Sequence, residues 1–143
     1  KNENPAIRYW GAIGLAAKRK LSKKAVDALT RSLKDSQPCV RVQTADALIR
    51  SGNPTSAWPS VVKDLNHQDL SVVLHAARTI ELLGDDASAL VSAMRKTDAR
   101  MKLICPPDTS PTDIQPGEMD MAMFVGFSTG AFLNRVAKNS ATR

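Results

Sequence analysis

Aromatic residues make up only 4% of the 143 residues: three Phe, two Trp and one Tyr. The core therefore falls to alanine and leucine, which suits closely packed helices better than a sheet. Cysteine is nearly absent. Cys39 and Cys105 are too few for a disulfide framework, and whether the two pair is left open, so the redox compartment stays undecided. Long hydrophobic runs are missing as well. The most apolar stretch, residues 119–138, is interrupted by Gly126, Ser128, Thr129, Gly130 and Asn134, too mixed for a membrane span. His67 and His75 are the only histidines, and neither has Cys, Asp or Glu at a spacing typical of zinc ligands. Gly11 and Gly14 fall inside one helical pattern and Gly126 and Gly130 inside another, so no glycine-rich loop cradles a phosphate. There is no Gly-x-Ser-x-Gly elbow and no His-Glu-x-x-His. Asp85 and Asp86 are adjacent and point apart, which makes them a poor acid/base couple. We expect no catalytic residue, no metal and no cofactor in this segment, and no membrane as partner.

What is present is a repeat. In residues 36–52, Pro38 stands where a helix tolerates a missing N–H, with Ser36 or Gln37 before it as cap and serine the better chemistry. Val40, Thr44, Ala47 and Leu48 lie on one helical face, and Gly52 follows where a left-handed C-cap suits glycine. Asn4-Pro5-Ala6-Ile7-Arg8 matches Gln37-Pro38-Cys39-Val40-Arg41 at an offset of 33 residues. Val72, Ala77, Ile80 and Gly84 then repeat Val40, Ala45, Leu48 and Gly52 at an offset of 32. The intervening segments also align, with Val26, Leu29 and Leu33 recurring as Trp58, Val61 and Leu65. Such a period signals stacked helical pairs, none of which buries its apolar face alone.

The pattern of proline, a small or polar residue, Val or Ile, then Arg, followed by an alanine-rich run, resembles the HEAT repeat. The third unit departs from it, with Leu70 in place of proline and Val73 in place of arginine, and the first lacks the terminal glycine. The resemblance covers about residues 3–96 and implies an all-α solenoid of three helix pairs. Helices are expected over 4–17, 23–34, 38–50, about 57–65, about 70–83 and 87–96. We divide the chain into a repeat array (1–104), a proline-rich connection (105–118) and a C-terminal capping helix and tail (119–143), together one domain. On that last helix Met121, Val125, Phe132 and Val136 follow helical spacing, with Phe124 and Phe127 widening the face. The first repeat begins without a polar capping helix before it, so a longer protein with a preceding module is expected.

Charge is unevenly placed. Residues 1–35 hold nine Lys/Arg against three acids, an excess equal to the net charge of +6 for the whole chain. Lys18, Arg19, Lys20, Lys23, Lys24, Arg31 and Lys34 form a candidate patch for an anion or an acidic partner surface, or else a solvated helix face. Tyr9 and Trp10 form a candidate docking surface, buried against another module or stacking on carbohydrate.

The run Asn4-Pro5-Ala6-Ile7-Arg8-Tyr9-Trp10-Gly11-Ala12-Ile13-Gly14-Leu15 is also similar to the opening of the HEAT-repeat extension that follows the catalytic domain in some bacterial sulfatases. Arg135-Val136 loosely resembles that extension's ending. The sulfatase signature, Cys or Ser followed by x-Pro-Ser-Arg, is absent, and Cys105-Pro106-Pro107-Asp108 does not meet it. The resemblance therefore implies a noncatalytic accessory segment of a periplasmic or extracellular enzyme, with the basic end toward the enzyme or its sulfated polysaccharide. The leading reading is a protein-interaction or scaffold module. The alternative is a nucleic-acid-binding HEAT-like domain using the basic first repeat. An enzyme in its own right has no residue set behind it.

Overall fold

The computed structural model describes residues 2–18 and 20–141. Among the described residues the fold is all helical, with seven α-helices, one 3-10 segment and no strand. The helices are α1 (Pro5–Ala16), α2 (Lys23–Ser32), α3 (Pro38–Arg50), α4 (Trp58–Leu65), α5 (Leu70–Leu83), α6 (Val91–Ile104) and α7 (Glu118–Ala141), with the 3-10 segment Gly84–Leu90 before α6.

The starts and stops have local causes. Asn4 caps α1 by accepting from the Ala6 N–H at 2.9 Å, and Ser22 caps α2 by accepting from the Ala25 N–H at 3.3 Å. Pro38 opens α3 as expected, but the cap is Gln37, whose side chain makes no capping bond. Ser36 sits one residue too early for that role. The α3 helix runs out at Gly52 with φ +79°, and α5 ends at Gly84 with φ +59°.

Two compact units make up the chain, Lys1–Asp64 and Leu65–Arg143. In the first, α1 and α2 both pack on α3. That helix is buried on nearly every side: Val40, Val42, Ala45, Ala47, Leu48 and Ile49 are core, and so are the charged Arg41 and Asp46. Ala45 and Ala47 have no exposed surface, which lets neighbouring backbones approach closely.

In the second unit α7 lies against α5 and α6. Of its buried residues, Ala122, Val125, Thr129 and Phe132 are spaced three, four and three apart, the seam of a helix facing other helices, and Ser128 is buried beside them. Phe124 and Phe127 do not widen that face. They are 48% and 64% exposed and meet edge to face at 6.3 Å between ring centres. The helix expected over 87–96 is displaced: 84–90 winds as 3-10, and α6 continues to Ile104. Met94, Thr97 and Met101 carry the buried side of α6, and the Thr97 hydroxyl donates to the Ala93 carbonyl at 3.1 Å. A polar residue thus occupies a core position without an unpaired hydroxyl.

Candidate docking and anion-binding surfaces

The loops that enter α1, α3 and α5 are built alike. Asn2 Oδ1 accepts from the Asn4 N–H at 2.9 Å, Asp35 Oδ1 from the Gln37 N–H at 3.1 Å, and His67 Nδ1 from the Asp69 N–H at 3.0 Å. Each is a side chain closing a short turn two residues ahead of itself, just before a helix. The arginines four residues beyond the turn also match. Arg8 Nη1 donates to the Asn2 and Glu3 carbonyls at 2.9 and 2.7 Å, and Arg41 Nη1 to the Asp35 and Ser36 carbonyls at 2.9 and 3.2 Å.

The remaining guanidinium nitrogens take a carboxylate. Arg8 grips Asp35 through Nε at 2.7 Å and Nη2 at 2.8 Å, and Arg41 grips the fully buried Asp64 through Nε and Nη2. This planar fork satisfies two oxygens at once, which a lysine does not reproduce. Hydrogen bonding to Asp35 holds the Arg8 pKa above its already high ordinary value.

Where Val73 replaces the third arginine, another residue serves the loop. Arg100 on α6 donates from Nη2 to the Leu65 carbonyl at 2.9 Å and from Nη1 to the His67 carbonyl at 3.5 Å. Asp69 then caps α5, accepting from the Ser71 N–H at 2.9 Å and hydroxyl at 2.7 Å. Those bonds hold its carboxyl below the usual carboxylate range.

The outward face of α1 is where the repeats stop being equivalent. Ile7, Gly11 and Gly14 occupy the positions of Val40, Thr44 and Ala47 in α3. In α3 these three have at most 1% of their surface exposed, whereas Ile7 is 55% exposed and both glycines are open, with nothing within 4 Å of a Cβ placed on either. Trp10 lies on the same face, 66% exposed. Tyr9 is half-buried and meets Trp10 edge to face at 5.7 Å, with a 76° angle between the rings. Two rings so tilted offer no shared flat surface for a sugar. Trp10 alone projects.

The basic residues separate into groups. Lys18 follows α1 and Lys20 stands in the connection, both exposed, while Arg19 lies outside the described residues. Lys23 and Lys24 begin α2, and Arg31 and Lys34 are exposed at and beyond its far end. At about 1.5 Å of rise per residue the two pairs stand more than about 10 Å apart. Lys34 instead shares a groove of about 430 Å³ with Lys63 of α4, lined also by Thr30, Ser56, Pro59 and Ser60. Lys63 lies 32 residues beyond Arg31, so the repeat offset was the signal for it.

Other chemistry is sparse. Among the described residues no group of three or more His, Cys, Asp or Glu is placed to hold a metal ion. None of the described helices is long and apolar enough to cross a membrane. Cys39 is an exposed free thiol and Cys105 a partly exposed one. Comparison with family models, with curated proteins and with solved structures returns no match to this chain.

Proposed function

We propose that the chain is a noncatalytic docking module of HEAT-like helical pairs, in which the outward face of α1 receives a helix of a protein partner. One observation carries this: Ile7, Gly11 and Gly14 are open while their repeat equivalents Val40, Thr44 and Ala47 are buried in α3. A further helix seated there would stand to α1 as α1 stands to α3. The glycines permit close approach of its backbone, and Trp10 supplies a large apolar anchor at the edge.

The similarity of residues 4–15 to the opening of a sulfatase extension names the preferred partner, the catalytic module of such an enzyme preceding this segment in one polypeptide. The reading frame upstream of Lys1 tests it. A Cys/Ser-x-Pro-Ser-Arg motif there supports the reading, and a stop codon or an unrelated domain overturns it. In the encoded full-length protein, replacing Ile7 and Trp10 together by Asp lowers the unfolding midpoint by several degrees. In the isolated chain, where both side chains already face water, it leaves the midpoint nearly unchanged. Equal shifts in the two proteins contradict the proposal.

The second reading, nucleic-acid binding through the basic first repeat, rests on the exposed cations Lys18, Lys20, Lys23, Lys24, Arg31 and Lys34. It requires binding that weakens steeply with salt and is indifferent to sequence.

A further inference from the structure

We propose that the pocket enclosed by α6, the proline-rich connection and α7 is a binding site for a compact, uncharged, largely hydrocarbon molecule. Its volume is about 340 Å³, at the lower end of the range for small-molecule sites. It lies wholly within the second unit and does not rest on the docking face of α1.

Each wall follows from local chemistry. Met101 of α6 and Ala122 of α7, both 1% exposed, form the floor. Beyond Cys105 the rings of Pro106, Pro107 and Pro111 deny the chain a helix, and the irregular segment supplies a third side. Gly126 leaves the space itself, since a Cβ placed there meets nothing within 4 Å. Met123 and Phe127 stand one turn apart on α7, and Phe127 is 64% exposed. A bound molecule covers that ring, and the flexible thioether of Met123 adapts to its shape.

The polar groups of the lining select the ligand. Lys102 pairs with Asp98 at 2.7 Å, and the other Asp98 oxygen accepts from the Thr129 hydroxyl at 2.8 Å. These are the charged lining residues and they cancel, so the pocket holds no net charge to draw an ion out of water. A peptide segment fits no better. Its backbone N–H and C=O groups need partners, and three of the lining residues are prolines with no N–H to give. The Pro106 carbonyl already accepts from the Thr109 N–H at 3.1 Å, and the Cys105 N–H donates to the Met101 carbonyl at 2.9 Å. The Thr109 hydroxyl and the Cys105 thiol remain, enough for a single polar atom on an otherwise apolar ligand.

The test is titration of the whole chain with N-phenylnaphthylamine, an uncharged fluorescent probe. Beside it runs anilinonaphthalene sulfonate, the same skeleton with one sulfonate added. We expect the uncharged probe to bind more tightly. The chain's net charge of +6 would favour the reverse order if charge drove the binding. Gly126→Leu fills the pocket and should weaken the uncharged probe by at least about tenfold. Gly130→Leu, one turn along α7 and outside the lining, should change it by no more than about twofold. Both replace a helix-interior glycine with open space around it, and circular dichroism checks that each keeps its helix content. Saturating probe should also slow alkylation of Cys105 by iodoacetamide and leave that of Cys39, in the other unit, unchanged. Equal or tighter binding of the sulfonate would overturn the proposal. So would a loss no greater in Gly126→Leu than in Gly130→Leu, an unprotected Cys105, or no binding of the uncharged probe.

Discussion

Arg41 is 7% exposed, and its fork is divided between the buried Asp64 carboxylate and the carbonyls of Asp35 and Ser36. Removing one member of such a pair leaves a buried charge without its complement. Asp64→Asn should therefore cost about 3–5 kcal/mol in urea unfolding, and Asp64→Leu combined with Arg41→Met distinctly less, because no charge is then stranded. Equal costs would mean that the pair is not insulated from water. Glycines give a contrast of sign. Gly14 lies in α1 with free space around it, so Gly14→Ala should stabilise the isolated chain by about 0.5–1 kcal/mol. Gly84 has φ +59°, and a Cβ there would meet Arg135 Nη1 at 2.6 Å. With ψ −126° the residue lies outside the left-handed α region, and Gly84→Ala should cost about 1–3 kcal/mol from the backbone alone. It would also push Arg135 off the Glu81 carbonyl, to which it donates at 3.1 Å. Thermal unfolding of the two variants reads both signs.

At the scale of the element, helix starts offer separable tests. Ser22→Ala removes the cap of α2 and should cost about 1 kcal/mol by denaturant unfolding. Asp69 caps α5 with a carboxyl whose pKa is lowered chiefly by the Ser71 hydroxyl and N–H. A depressed folded pKa means that its contribution is complete above the ordinary carboxylate value and is lost as pH falls through the folded one. Stability of the wild type should thus decline on acidification below about pH 5. Asp69→Asn, which keeps a capping oxygen but does not titrate, should show a shallower decline. A parallel decline would remove Asp69 from the account. Most of these elements could be read from the chain alone, because α3 carries its proline start, its apolar period and its glycine stop within seventeen residues. What escaped was α6, where buried Thr97 among Arg95, Lys96, Asp98 and Arg100 hides the apolar period. The groove was legible only in part: Lys34 belongs to the patch expected over Lys18, Arg19, Lys20, Lys23, Lys24, Arg31 and Lys34, whereas Lys63 is distant in sequence. The forks were visible only as recurring arginines, since Asp35 and Asp64 lie 27 and 23 residues beyond their partners.

At the scale of the whole molecule, one turn is used before three helices, and at the third an arginine from a different helix, Arg100, serves the loop through the His67 and Leu65 carbonyls. That substitution of supplier is why the third unit departs from the arginine pattern and still closes its loop. The same recurrence gives the docking proposal its support, since positions buried in α3 are bare in α1. Trp10 reports on that position directly. Side-chain oxidation of Trp10 by hydroxyl radicals, read by mass spectrometry of its peptide, should be extensive in the isolated chain and sharply reduced in a protein that carries the proposed catalytic module ahead of it. Equal oxidation of Trp10 in the two would contradict a helix seated on α1.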